Sequence, residues 1–191
     1  PRQQVGLPIT PDIAGGRYTL ALTAPTRLTL GTVNVVSTVP DVGGDEDAIT
    51  HRLDWRFGEH ITLVGYDINT TTLDAGERVI VDLYWRTDAL LDERYKMLVY
   101  ALGDFNPQTE TPLWGQHDTE PRDWTFPTNQ WRTDVLIQDR KGFDIYDYTP
   151  PGDYQIGVVV YGLVDGQRLL ITGADGNPLG DMATLTTVTV E

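Results

Sequence analysis

The feature that most constrains this chain is its period of two: apolar and polar side chains alternate over short stretches that end in turn residues. In residues 78–85, for example, Val79, Val81, Leu83 and Trp85 would share one face of a strand, and Trp85 is expected to be mostly buried together with Trp55 and Phe57. No window carries the sustained apolar spacing of an amphipathic helix, and only a short helical turn is expected, at 88–94. Threonine outnumbers serine 25 to 1, and Asp, Gly and Pro fill the breaks, which suits pleated strands joined by tight turns. The chain is therefore predicted to be all-β.

Many short strands, two of them expected at 134–139 and 143–146, with no crossover helices predict an antiparallel β-sandwich of immunoglobulin-like or jelly-roll-like type. The sandwich is expected at 49–191, after a linker rich in Pro, Gly and acids at 39–48. Residues 1–38 carry two strand patterns that echo the end of the chain, since GGRYTLAL at 15–22 resembles PGDYQIGV at 151–158, and Tyr18 and Tyr154 are expected to occupy equivalent places. One interpretation is that 1–38 is the closing hairpin of a preceding copy of the same module. The other is that two edge hairpins share generic β patterning.

Charge and composition exclude several classes of function. The chain has 14 Lys and Arg against 28 Asp and Glu, a net charge of −14, and no basic stretch, which argues against nucleic-acid binding. It has no cysteine, and its single serine, Ser37, lies outside any G-x-S-x-G motif. Nothing singles out a catalytic pair of carboxylates. We therefore predict a non-catalytic chain that needs no cofactor.

The first residue of the chain and its apolar content bear on its cellular context. No apolar run approaches the roughly 18 residues that a membrane-spanning helix needs, so direct membrane insertion is not expected. The chain opens on Pro1 without a methionine or a signal peptide, and it is expected to be part of a longer protein.

The stretch 114–131, WGQHDTEPRDWTFPTNQW, holds three of the five tryptophans. Aromatic faces beside carboxylates and amides suit a sugar, whose C–H face stacks on a ring while its hydroxyls form hydrogen bonds. A glycan-binding loop would use Trp114, Gln116, His117, Asp118, Trp124 and Trp131. Alternatively, the stretch is a long loop that its own tryptophans attach to the sandwich. We expect Trp131 to point inward, Asp118 to accept backbone N–H groups, and Trp124 to be exposed.

Metal binding is not predicted, although two acidic stretches raise the question of calcium. The three histidines form no H-x-x-x-H pair. Asp175, Asn177 and Asp181 are calcium candidates, as is the acidic run at 41–47, because hard cations take several oxygen ligands from loops. Asp-Gly and Asn-Pro are equally ordinary turn-forming pairs.

Five motifs between Arg56 and Val190 support a resemblance to a known module. They are GEHITLVGYDI (58–68), LDAGERVIVDLYWR (73–86), GQHDTEP (115–121), PTNQW (127–131) and PPGDYQIGVVVYG (150–162). Together they resemble the extracytoplasmic C-terminal β-sandwich of large Chloroflexi-type membrane proteins, which look like dolichyl-phosphate-mannose-type glycosyltransferases. The sequence departs from the module's pattern at Glu59, at Ala75 and just after Trp131, all in expected turns. The resemblance implies an architecture and a compartment, but no mechanism.

The resemblance leads to an expected function. The chain would be a non-catalytic accessory module of a membrane-anchored protein, exposed outside the cell and contacting glycans for a glycosyltransferase-like region. Its partners would be that membrane-embedded region, a tandem copy of the module, or a glycan. A free-standing carbohydrate-binding or carbohydrate-active protein is the alternative, and a purely structural spacer is the third interpretation.

Overall fold

The computed structural model describes residues 16–22, 28–35, 44–133 and 135–191. The chain divides into two compact units, Pro1–Asp41 and Val42–Glu191. In the described residues the regular structure consists of strands and two single 3-10 turns, Glu46–Ala48 and Thr128–Gln130. The all-β prediction is confirmed. The strands are β1 Gly16–Leu22, β2 Leu28–Val35, β3 His51–Phe57, β4 Ile61–Ile68, β5 Thr72–Leu73, β6 Arg78–Thr87, β7 Tyr95–Asn106, β8 Thr111–Thr119, β9 Ile137–Asp144, β10 Gly152–Gly162, β11 Ile171–Thr172, β12 Pro178–Gly180 and β13 Ala183–Val190.

The second unit is a β-sandwich of two sheets, with strand orders β12-β11-β3-β4-β6-β9 and β5-β13-β10-β7-β8. Neighbouring strands run antiparallel except β5, which pairs in parallel with β13. Strands β4, β6 and β9 take the places of A, B and E in an immunoglobulin-like sandwich, and β7, β8, β10 and β13 take those of C, C′, F and G. Of the two sandwich types that the sequence allowed, the strand order is therefore the immunoglobulin-like one.

A tyrosine corner supports this assignment. Tyr154, near the start of β10, is buried and donates a hydrogen bond from its hydroxyl to the carbonyl of Pro150 at 2.8 Å. This contact, from the strand in the F position to the backbone just upstream, is a recurrent feature of immunoglobulin-like domains. It ties the β9–β10 connection to the core.

Replacing Tyr154 by phenylalanine is expected to lower the free energy of unfolding by about 1 kcal/mol, because the variant loses this hydrogen bond. Chemical denaturation would measure the loss. Tyr148→Phe is the matched control, since Tyr148 is partly exposed in the same connection. Equal stability of the two variants would show that the corner contributes nothing.

The core lies between the two sheets of the second unit. Trp85 and Phe57 are fully buried there, with ring centroids 5.4 Å apart in an edge-to-face arrangement. Trp55, which was predicted to be mostly buried, has intermediate exposure and packs against this core. A register shift between Arg52 and Trp55, with Asp54 in the left-handed region at φ 55°, interrupts the pairing of β3 with β4.

The hairpin of β1 and β2 pairs in the same register as β10 and β13. Tyr18 lies opposite Val33, as Tyr154 lies opposite Val188, and in both hairpins the register shifts after the second residue beyond the tyrosine. The predicted equivalence of Tyr18 and Tyr154 therefore holds for backbone pairing. Their side-chain equivalence, and the origin of residues 1–38, stay predictions, because the side chain of Tyr18 lies outside the described residues.

Two local expectations need correction. The turn expected at 88–94 is not helical. There, the hydroxyl of Thr87 donates to the carbonyl of Ala89, and the N–H of Asp88 donates to the carbonyl of His60. Two strands predicted at 134–139 and 143–146 are the single strand β9, whose pairing with β6 runs unbroken.

The linker at 39–48 stays a prediction. In its described part, Glu46 forms ion pairs with Arg52 and Arg86.

Candidate functional site

The segment 114–131 is not one loop, because its first six residues complete strand β8. Successive side chains of a strand point to opposite faces, but the register between β8 and β7 shifts at Trp114, which has no paired residue. This bulge places Trp114 in the core, while Gln116 and Asp118 lie on the outer face of the five-stranded sheet. The short alternation around Gly115 was too weak to indicate a strand. Pairing with β7 supplies the missing order.

Two of the candidate tryptophans are buried and support the structure. The indole N–H of Trp114 donates to the carbonyl of Asp104 at 2.8 Å, and that of Trp131 to the carbonyl of Phe126 at 3.2 Å. Trp131 is fully buried, as expected. Neither ring has a free face on which a sugar could stack.

Trp124 is exposed, at 49% of its maximal accessible area, and the backbone that presents it is unusual. Arg122, Asp123 and Trp124 have φ angles of 53°, 51° and 70°, a run of three left-handed residues without a glycine. Such a conformation costs roughly 1–2 kcal/mol per residue. Strain of this kind persists only where the surroundings enforce it, and it concentrates at functional sites.

Buried groups beneath the turn hold it in place. Asp139 is fully buried and accepts the N–H of Arg122 at 2.7 Å through Oδ1. The buried ammonium of Lys141 donates to the hydroxyl of Thr119 at 2.6 Å and lies 3.2 Å from Asp139 Oδ2. The carboxylate of Glu120, just before the turn, is fully buried and accepts a hydrogen bond from Arg94, with Nε 2.8 Å from Oε1.

His117, another candidate, belongs to this support rather than to the exposed surface. Its Nδ1 contacts the backbone of Gly142, at 2.8 Å from the carbonyl oxygen, and its Nε2 lies 2.7 Å from Asp123 Oδ1. The ring therefore links the turn to β9.

Four side chains converge on the outer face of the five-stranded sheet, and we call them the Trp124 surface: Lys96, Asp118, Trp124 and Tyr161. Lys96 Nζ lies 5.5 Å from the centroid of the Trp124 ring and 5.3 Å from that of Tyr161. It donates to Asp118 Oδ2 at 2.7 Å, and the hydroxyl of Tyr161 donates to Asp118 Oδ1 at 2.7 Å. Asp118 therefore accepts side-chain donors, not the backbone N–H groups that the sequence led us to expect.

The electrostatics of the Trp124 surface preserve its charges near neutral pH. Burial and the Asp118 carboxylate raise the pKa of Tyr161, so its phenol remains a donor. Burial acts to lower the pKa of Lys96, but hydrogen bonds to Asp118 and Tyr161 outweigh it and the pKa rises. The surface thus offers an aromatic face beside a charge-balanced pair whose carboxylate has lone pairs left for hydroxyl donors.

Lys96 and Tyr161 were not identified from the sequence. Each lies in a different strand, and they face each other across the β7–β10 pair. Lys96 lies directly before an apolar run, and Tyr161 directly follows three valines in β10. A polar residue at an outward position of an apolar strand is the one signal that could have marked them.

The metal candidates are arranged as ordinary turns. Asp175 accepts the backbone N–H of Asn177 at 3.0 Å and its side-chain amide at 2.7 Å, and Asp181 lies 3.5 Å from Arg168. Within the residues that the structure describes, no group of three or more His, Asp or Glu side chains is placed to hold a metal ion. Those residues also include no helix with the length and apolarity needed to cross a membrane.

Comparison with known proteins adds little. No protein-family model matches the chain, and neither does any curated protein. The alkylpurine DNA glycosylase AlkC of Pseudomonas fluorescens, solved with DNA containing an abasic-site analog, is 13% identical with a TM-score of 0.35. That alignment covers 72% of this chain but only 30% of the glycosylase chain. A chain of the CaDoc0917–CaCohA2 complex is 15% identical with a TM-score of 0.28, over 66% of this chain and 99% of that one. Neither similarity is close enough to carry an argument about function.

Proposed function

We propose that this chain is a non-catalytic, glycan-contacting module and that the Trp124 surface is its binding site. The observation that carries the proposal is the exposed ring of Trp124 on three consecutive left-handed residues. A hexose ring stacked on the indole would place its hydroxyls near Asp118, with Gln116 exposed on the same face of β8. Trp114, His117 and Trp131 act in this proposal as supports of the sandwich.

The module belongs, in this proposal, to a larger membrane-anchored protein outside the cytoplasm. The resemblance to glycosyltransferase-associated sandwiches motivates the compartment and the parent protein. The shared register of the β1–β2 and β10–β13 hairpins supports a tandem arrangement, because it matches the two hairpins pair by pair, bulge included. A membrane-embedded region or a further copy of the module would then be its covalent neighbour.

A free-standing carbohydrate-binding protein is the second candidate, and the same Trp124 surface favours it. The gene distinguishes the two, because ten or so hydrophobic spans encoded with this chain would support the membrane-anchored module. A structural spacer is the third candidate, and it requires the Trp124 surface to bind nothing.

Replacing Trp124 by alanine is expected to weaken glycan binding by at least about tenfold, equal to about 1.4 kcal/mol, because the stacking face is removed. A glycan array would first select an oligosaccharide, and titration of tryptophan fluorescence would compare the variants. Phe105→Ala is the matched control, since Phe105 is an exposed aromatic at the opposite end of β7. No binding of mixed oligosaccharides at millimolar concentration would leave the spacer as the remaining candidate.

Trp124→Gly tests whether the strained backbone at this position costs stability while the indole it presents is needed for binding. Glycine adopts a positive φ readily but loses more entropy on folding, so a net gain of about 0.5–1 kcal/mol in unfolding free energy is expected. Binding should be lost as completely as in Trp124→Ala. A glycine variant that unfolds more easily would show that the indole itself stabilises the turn.

A further inference from the structure

A groove of about 620 Å³ opens at the other end of the five-stranded sheet, where β7 ends and β10 begins. Its volume falls in the range of ligand-binding sites. The rings of Trp114 and Tyr154 form its floor, and Phe105, which is 66% exposed, stands at its rim. The residues that line the groove are separate from the Trp124 surface, so a ligand of the groove does not depend on the proposed glycan function.

The floor of the groove is rigid. The rings of Trp114 and Tyr154 meet edge to face with centroids 5.7 Å apart, and both ring donors are already bonded to backbone carbonyls. A Cβ atom on Gly103 would lie 2.5 Å from the Tyr154 ring, so β7 packs directly against it. A groove that is already ordered loses little conformational entropy when it binds a ligand.

Four of the thirteen described residues that line the groove are prolines. Pro107 and Pro112 flank the turn between β7 and β8, and Pro150 and Pro151 precede β10. Proline has no backbone N–H, so these walls present ring surfaces rather than hydrogen-bond donors. Apolar ring surfaces of this kind can pack against a polyproline II ligand, which has no internal hydrogen bonds and displays its proline rings at a regular spacing.

The groove is negatively charged. Asp104 and Asp153 are the charged side chains among its lining residues as described, and both are exposed. Burial, followed by the charge of Asp104, raises the pKa of Tyr154 on the floor. The charge complement is therefore a cation, and an acidic segment would be repelled.

We propose that this groove binds an extended, proline-rich peptide segment that carries lysine or arginine. Prolines of the segment pack against the ring-lined walls and Phe105, and a basic side chain pairs with Asp104 or Asp153. A glycan fits the groove less well, because the floor rings of Trp114 and Tyr154 are buried and only Phe105, among the described lining residues, exposes an aromatic face on which a sugar could stack.

The test uses a short synthetic peptide of alternating proline and leucine with arginine at both ends, titrated into the ¹⁵N-labelled full chain. We expect shifts of amides beside the groove, and an affinity that falls as salt is added. The double variant Asp104→Asn, Asp153→Asn should weaken binding about five- to tenfold, and Phe105→Ala by a similar factor. Asp92→Asn is the matched control, since Asp92 is exposed at the other end of the sandwich.

Three results would overturn the proposal. The first is equal binding of a peptide with glutamate at both ends, since the charge argument would then fail. The second is the absence of shifts at the groove with the arginine peptide at millimolar concentration. The third is that mixed oligosaccharides, and not the peptide, shift the groove amides. Trp124→Ala should leave peptide binding unchanged, so failure of this proposal and failure of the glycan proposal are distinguishable.

Discussion

Replacing Trp85 by alanine is expected to lower the free energy of unfolding by about 3–5 kcal/mol. The indole is fully buried between the sheets and meets Phe57 edge to face, so truncation removes a large apolar surface and opens a cavity. The indole N–H accounts for little of the loss, because it has no hydrogen-bond partner in the described residues. Denaturation followed by circular dichroism would measure the effect.

Trp124→Ala is the control for this loss, because it removes the same side chain from an exposed position. Its unfolding free energy should change by no more than about 0.5 kcal/mol, as for most surface substitutions. A loss below about 1 kcal/mol in Trp85→Ala would mean that β6 presents the opposite face to the core. Trp85→Phe should recover part of the loss, since it refills part of the cavity.

Lys141→Met is the second variant with a large expected effect, a loss of about 3–5 kcal/mol. It leaves the carboxylate of Asp139 buried without a counter-charge, 3.2 Å from where the ammonium stood. Adding Asp139→Asn should restore most of the stability, because asparagine is neutral and can still accept the N–H of Arg122. If the double variant is no more stable than the single one, packing of the lysine stem, and not the uncompensated charge, explains the loss.

The dependence of this loss on pH comes from the burial of Asp139. Burial raises the pKa of this carboxyl above its ordinary value, and the charge of Lys141 opposes the rise. Without Lys141 the folded-state pKa rises further above the unfolded value, so the folded protein binds a proton more tightly. The stability of Lys141→Met should therefore fall as pH rises through the interval between the two values. Below that interval the defect should shrink, which a series of denaturation curves between pH 7 and 4 would detect.

Lys141 links the core to the Trp124 surface, and the Lys141→Met variant tests this link. The lysine holds Thr119 and the Asp139 carboxylate, which in turn holds the N–H of Arg122 at the start of the left-handed turn. Loosening this support should let the turn relax, and the proposed glycan affinity should fall even under conditions where the sandwich stays folded. The left-handed turn would thus depend on the buried pair of Lys141 and Asp139.

The sequence by itself was sufficient for the fold class and for most strands. Alternation in β6 identified Val79, Val81, Leu83 and Trp85 as core residues, and the structure buries all four. A strand pattern is local, because the side-chain period is two whatever the partner strand. The exposed ring of Trp124 and the buried ring of Trp131 were also expected from their local settings.

What only the tertiary structure decided was pairing between distant residues. The end of β8 lay in a stretch interpreted as a loop, because its order comes from β7 rather than from its own pattern. Lys96 and Tyr161 lie beside Asp118 and Trp124 only because the fold brings three strands and a turn together. The left-handed turn itself depends on Asp139, buried in a strand that comes later in the chain. Local propensity contains no term for such contacts, so the strands could be predicted from the sequence, whereas the surface they build could be seen only in the folded chain.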